Sequence, residues 1–482
     1  MKNSIKIIFF VFVLLNSSSY AENTDKFEGR DFFCCSIYDL YKTDFTKNNN
    51  MKAYKLSFVN AITLICFGLW GYIDVNFSPT ALIPVIFGII ILLLNPGLKK
   101  ENKIIAPRIF AYTSFGQTGK NFNPLNDIPI STPEMARTWV RANAKKGADG
   151  IKFFGSHPDI MNAALDENNK LGLRSAMHHA QMRVVSWNVL NSARAGLTSM
   201  EHWYGLPEAL FDDRTVQNYP LNYNYMNEQD RFGEAGRLWK QAAEPYSKKW
   251  NDVMNELIEL DFTIDVTFVP YSIFRDVARG SRLEWHKDYT TPTLLKFFLP
   301  GRDSHGAAYF DWGTEKELEW KENYRLWMTF INEYKNRGGR VTAGADSGYM
   351  YNLYGFGYIQ ELELIRESGF HPLEVIRSAT LNAAEALGME KEIGTVEVGK
   401  YADMILMEEN PLKNLKYLYG TGDIKINSDN EAIRVGGIKY TIKDGIIFDS
   451  RQLLEDAKKI VNEEKDANPG WEKYFMDNVE RE

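Results

Sequence analysis

Short apolar runs that each stop on a residue able to do chemistry, separated by helical stretches, constrain this chain more than its composition does. Lys152 lies in Gly-Ala-Asp-Gly-Ile-Lys-Phe-Phe, His178 in Arg-Ser-Ala-Met-His-His-Ala, His202 in Thr-Ser-Met-Glu-His-Trp-Tyr and Asp346 in Val-Thr-Ala-Gly-Ala-Asp-Ser-Gly. Such runs read as buried parallel strands. Strands alternating with helices predict an α/β fold of the (β/α) barrel type, whose C-terminal strand ends are where a site is built.

Lysine, two histidines and an aspartate at successive strand ends suit a divalent metal that activates water. Neutral imidazoles ligate zinc, and a carboxylate can take a proton from the water. Lys152, between Ile151 and Phe153, is costly to bury unpaired, so either it reaches outward or it is chemically changed. Taken singly, each residue has a plainer explanation: a strand-end histidine is often structural, and Asp346 before Ser347-Gly348 suits a helix cap. The joint order of the four carries the reading. His178 and His179 compete for one place, because side chains alternate along a strand and only one of two neighbours points inward.

These residues resemble the pattern of the amidohydrolase superfamily, in particular its prolidase-like and imidazolonepropionase-like members. The resemblance covers roughly residues 105 to 449. It is most specific where Ser378-Ala-Thr-Leu-Asn-Ala-Ala-Glu-Ala-Leu-Gly388 is similar to the family's last barrel helix and Gly394-Thr-Val-Glu-Val-Gly-Lys-Tyr-Ala-Asp-Met404 to the hairpin that follows. It implies that Lys152 is carboxylated, that Lys152, His178, His202 and Asp346 bind metal, and that Asp346 also shuttles the proton. The family spacing from Gly172-Leu173 favours His178 over His179, which leaves His179 behind the site or in packing. The implied cofactor is a divalent ion, zinc for preference, one or two per chain. The implied reaction is hydrolysis of a non-peptide amide or lactam, or of an acyl-amino-acid or dipeptide bond, in a small-molecule substrate.

The comparison also exposes a gap. The family carries a His-x-His pair on its first barrel strand, and the 7 histidines here, His157, His178, His179, His202, His286, His305 and His371, include no such pair. Arg108-Ile-Phe-Ala-Tyr-Thr looks like the family's third strand. The expected fold is therefore an incomplete (β/α)8 barrel lacking about two N-terminal β/α units (residues 105–392), with a β-sandwich remnant (393–449) and a charged C-terminal helix (450–482). The alternative function is a catalytically inactive membrane-tethered relative or a non-functional fusion.

Sequence of another kind stands upstream. Residues 1–21 have the anatomy of a cleavable signal, and 22–50 read as a polar linker. Within 51–104, Ser57–Ile73 and Pro79–Asn95 are almost uncharged and read as a transmembrane helical hairpin. This predicts membrane association through residues 57–95. The enzyme part then lies on the periplasmic or secreted side if the signal is used, or on the cytoplasmic side if translation starts at Met51.

A net charge of −7 with mixed signs argues against a nucleic-acid partner, and three cysteines, two of them adjacent, exclude a disulfide framework. Two aromatic-rich segments follow His202 and Tyr271. Loops at strand C-termini shape a pocket, so Trp203, Tyr204, Tyr271, Arg275, His286 and, just past its strand, His157 are expected near a substrate, with aromatic packing as the competing account. Missing strands would leave exposed parallel edges, which a homo-oligomer would cover.

Overall fold

The computed structural model of the chain describes residues 107–115, 130–301, 306–307, 310–348 and 350–475. The expected signal, linker and hairpin, residues 1–104, and His305 lie outside the described residues. Among the described residues no helix is long and apolar enough to cross a membrane.

Six strands form one parallel sheet in chain order: β1 (Tyr112–Phe115), β2 (Gly150–Phe153), β3 (Arg174–His178), β4 (Ser199–Glu201), β5 (Thr263–Asp265) and β6 (Arg340–Thr342). Among the described residues β1 and β6 are its two edges. The strands are short and buried on both faces; all four residues of β2 are buried. That double burial explains why they read as apolar runs and not as an alternating pattern.

Helices separate the strands, and their sequences show why they form. Helix α1 (Pro133–Lys145) starts on Thr132, whose hydroxyl accepts from the Met135 amide, with Pro133 at its first position. Ala136, Trp139, Val140 and Asn143 line its buried side, and Trp139 meets Phe115 of β1 edge-on at 5.2 Å. Helix α2 (Pro158–Lys170) connects β2 to β3, and α3 (Val189–Arg194), capped by Asn188, connects β3 to β4. Between β4 and β5, α4 (Lys248–Glu259) buries Trp250, Val253, Met254 and Leu257 at helical spacing. Between β5 and β6, α5 (Thr314–Asn336) buries Trp320, Tyr324, Trp327, Phe330, Ile331 and Tyr334.

After β6, helices α6 (Phe356–Glu367), α7 (Pro372–Ala379) and α8 (Leu381–Leu387) close the sheet's last flank. The segment expected as a β-sandwich remnant forms two small antiparallel sheets. One joins β7 (Met404–Met407), β10 (Ile438–Lys443) and β11 (Ile446–Asp449); the other joins β8 (Asp423–Ile426) and β9 (Ala432–Val435). Helix α9 (Ser450–Ala467) buries Leu453 and Val461. Arg108, at the start of the described chain, pairs with both Asp403 and Asp444 beside the β7 sheet and lies over the Tyr401 ring.

Strand register decides which side chains meet. Lys152, Ala176, Ser199, Thr263 and Arg340 are successive neighbours across β2 to β6. Two residues further along, His178, Glu201, Asp265 and Thr342 form the next row on the same face. Because side chains repeat every second residue, these two rows share one face of the sheet.

Candidate active site

The C-terminal ends of four strands bring the predicted residues together. Lys152 on β2 is fully buried and its Nζ has no hydrogen-bond partner. His178 closes β3, and its ring lies 5.1 Å from that of His202, edge to face. His202 follows β4 in the left-handed region at φ 61°, and its backbone amide donates to the Asp265 carbonyl at 3.1 Å. Asp346, also left-handed at φ 43°, brings Oδ2 to 3.6 Å from His202 Nε2, with both side chains almost wholly buried. Two non-glycine residues in that region, after β4 and after β6, mark a backbone held by its surroundings.

Alternation separates the adjacent histidines. His179 faces away from His202 and shares Ser192 Oγ of α3, 2.8 Å from its Nε2, with the Trp187 indole, which donates at 2.7 Å. Burial and then the charge of Lys152 push its imidazole down to about 3, so it stays neutral. His178 is also held well below the usual range, first by burial, then by His202 and Lys152.

Two acids missing from the sequence reading lie in the same interior. Glu201, 1% exposed, accepts from Ser199 Oγ at 3.0 Å. Its carboxyl is pushed up to about 8, chiefly by burial, with Asp265 and Asp346 adding to the rise and Lys152 and Ser199 opposing it. Asp265, 4% exposed, accepts from Thr267 Oγ1 and Thr342 Oγ1, each at 2.8 Å. Burial raises it, and the two hydroxyls and Lys152 oppose the rise. Burial likewise lowers Lys152, against Glu201, Asp346 and Asp265. The period of two through Ser199-Met200-Glu201 and Thr263-Ile264-Asp265 already put these acids on the histidine face.

The aromatic expectations divide. Tyr204 and Tyr271 reach the site, with ring centres 5.6 Å from His178 and 5.5 Å from His202 respectively. Trp203 instead packs into an aromatic cluster with Trp320 and Trp327 and is fully buried. Arg275 bonds both Glu367 oxygens at 2.8 Å and lies over Tyr324. His286 is bonded to Thr290 Oγ1 and the Gly280 carbonyl, and its burial among Phe298 and Tyr351 holds it down to about 4. His157 precedes α2 with most of its side chain in solvent, and His371 caps α7. Of the predicted six, Arg275, His286 and His157 lie away from the cluster, and Trp203 stands behind Tyr204, 4.4 Å between ring centres, with its other contacts on α5. Arg231, not singled out from sequence, pairs with Glu228 at 2.6 Å in a buried contact and adds positive charge near His178, Tyr204 and Tyr271.

Two imidazoles and a carboxylate are donors that suit a divalent ion, and Lys152 could join them only after losing its ammonium proton, since an ammonium has no lone pair. Its burial without a hydrogen-bond partner favours the neutral amine, the form that combines with carbon dioxide, so the donor set fits such an ion in its chemistry. In the described geometry no three His, Cys, Asp or Glu side chains converge tightly enough to hold one by themselves.

Residues 328–447 match the model of the amidohydrolase family. Among curated proteins the chain is 28% identical over 102 residues to the imidazolonepropionase of Shouchella clausii, covering 21% of each chain. It is 30% identical over 121 residues to the 5'-deoxyadenosine deaminase of Methanobrevibacter smithii, covering 23% of this chain and 26% of that one. The matched segments thus span about a fifth to a quarter of the length of these relatives. Among solved structures, bottromycin amidohydrolase aligns at TM-score 0.49 and 15% identity, over 77% of this chain and 72% of that one.

Proposed function

We propose that the chain is a metal-dependent hydrolase of C–N bonds other than ordinary peptide bonds, acting on a small amide, lactam or acyl-amino-acid substrate. The observation that carries this reading is the convergence of Lys152, His178, His202 and Asp346 at the C-terminal ends of one parallel sheet, with His202 Nε2 and Asp346 Oδ2 3.6 Å apart. The family match over residues 328–447 and the names of the curated relatives support it.

Lys152, His178, His202 and Asp346 would hold the ion, zinc for preference, with Lys152 carboxylated. When bound, such an ion lowers the pKa of its water and polarises a carbonyl. Asp346 Oδ2 is the proton acceptor of the site and returns the proton to the leaving nitrogen. His202 Nε2 lies 3.6 Å from that carboxylate, and the Tyr204 and Tyr271 rings beside His178 and His202 wall the pocket and exclude water. As general acid–base, Asp346 contributes about a hundredfold to ten-thousandfold.

The test pairs zinc content with turnover of an N-acyl amino acid, dipeptide and lactam panel. Asp346→Asn is expected to lower turnover by about a thousandfold with folding unchanged, and Lys152→Ala to abolish zinc binding. Wild-type protein without zinc or turnover overturns the reading. Among the described residues no three His, Cys, Asp or Glu side chains converge, and the sequence has no His-x-His pair; both favour a second reading, a catalytically inactive relative, which predicts ligand binding unchanged in Asp346→Asn. The incomplete barrel, membrane attachment through residues 57–95, and a partner copy covering the sheet edges belong to the same proposal.

A further inference from the structure

The loop between β6 and α6 carries Asp346 on strained backbone. Asp346, Met350 and Tyr351 adopt φ of 43°, 51° and 57°, a region that residues with a Cβ enter only at a cost in conformational energy. Three such residues within six positions persist only where surrounding contacts over-determine them. Asn352 supplies several of those contacts from one side chain.

Asn352, 2% exposed, reaches back across the loop. Its Nδ2 donates to the Ala345 carbonyl at 2.5 Å and to the Asp346 carbonyl at 3.3 Å, and its Oδ1 accepts from Ser347 Oγ at 3.1 Å. An amide side chain carries two donor protons and an acceptor oxygen, so one residue can serve all three groups. Its backbone carbonyl also accepts from the Gly348 amide at 2.9 Å. Four consecutive residues, Ala345 to Gly348, are thus tied to Asn352. The far side of the loop is anchored separately, by the Met350 amide on the Gly306 carbonyl at 3.1 Å and by the Tyr351 ring, 4.8 Å from that of Phe298.

Packing holds Asn352 in turn. A Cβ on residue 357, in the first turn of α6, would meet Asn352 Oδ1 at 1.7 Å and Ser347 Oγ at 2.9 Å. Gly357 is therefore the space in which the amide sits, and the start of α6 becomes the base against which the loop is set.

We propose that Asn352 is a positioning residue that acts through Asp346: its amide pins the Ala345 and Asp346 carbonyls, keeps Asp346 left-handed, and so aims Oδ2 at His202 Nε2, 3.6 Å away. The inference rests on the proposed function only for the role of Asp346. The backbone conformation it describes is measurable whether or not the chain turns over a substrate.

Substitutions at position 346 of the full chain read that backbone directly, because glycine is at ease at positive φ and alanine is not. With Asn352 in place, Asp346→Gly is expected to melt about 3 °C above Asp346→Ala. In an Asn352→Ala background the loop relaxes, and that gap is expected to fall below about 1 °C. Ser347→Ala, which removes one tether of the amide, is read the same way and serves if Asn352→Ala does not fold. Turnover supplies a second readout: Asn352→Ala alone is expected to lower kcat by about tenfold to a hundredfold through misplacement of Asp346, with KM within about twofold. A wild-type chain without turnover overturns the hydrolytic reading alone. A gap that persists in the Asn352→Ala background, with both midpoints lowered together, would mean that Asn352 serves only general stability and overturns this proposal.

Discussion

At the N-terminal ends of the strands, Arg340 meets Asp261 at 2.8 Å, Glu385 at 3.0 Å and Thr263 at 3.2 Å, and Asp261 is 80% exposed. At the C-terminal ends, the Glu201, Asp265, His202 and Asp346 side chains are buried, and hydroxyls take the place of water around Glu201 and Asp265. The charge types are similar, but the environments are not. Exposed pairs at the lower end are screened and individually weak. The upper end keeps groups that water would otherwise stabilise, and it does so with left-handed backbone at His202, Thr267 and Asp346. That contrast places the left-handed backbone and the buried carboxylates at the same end of the strands.

The contrast can be broken most strongly at Gly344. Gly344→Ala places a methyl group against Asp265 Oδ1 and is expected to cost about 3 kcal/mol in denaturant unfolding, typical of a forced shift in a packed interior. A loss below about 1 kcal/mol would show that the upper end is loosely packed.

Titration of a second buried group outside the cluster gives the next effect. His286 is held down to about 4 by burial, against about 6.5 unfolded. Because the unfolded chain binds the proton more readily, its contribution is intact above about pH 6.5 and is lost as pH falls toward 4, at most about 3 kcal/mol. His286→Phe is expected to flatten the stability profile across that window, and an unchanged slope would contradict the burial.

Smaller effects sharpen the comparison. Thr342→Val removes one donor from a buried carboxylate and is expected to cost about 2 kcal/mol. Arg340→Met at the opposite end is expected to cost about 1 kcal/mol or less, falling further with added salt. If the Arg340 variant proved the more damaging of the two, the two ends would not differ as described.

The parallel strands, the helices between them and the meeting of Lys152, His178, His202 and Asp346 were legible because apolar runs and strand-end positions are local properties. The choice of His178 over His179 for the inward place rested on alternation together with the family spacing, and the structure turns His179 toward Ser192. Glu201 and Asp265 fall on the inward face by the same alternation, but a single acid at the end of a three-residue strand carries no signal of its own, and Glu201 stands directly before His202. The fates of Trp203, Arg275 and His286 were not legible. They depend on distant contacts: Trp203 on Trp320 and Trp327 of α5, Arg275 on Glu367 of α6, 92 residues away, and His286 on Phe298 and Tyr351.

Arg108 joins the first described residues to Asp403 and Asp444, 295 and 336 positions later. The enclosed stretch is therefore clasped like a ring, and tension applied to the chain ahead of residue 107 would be borne by the β7 sheet before it reached β1.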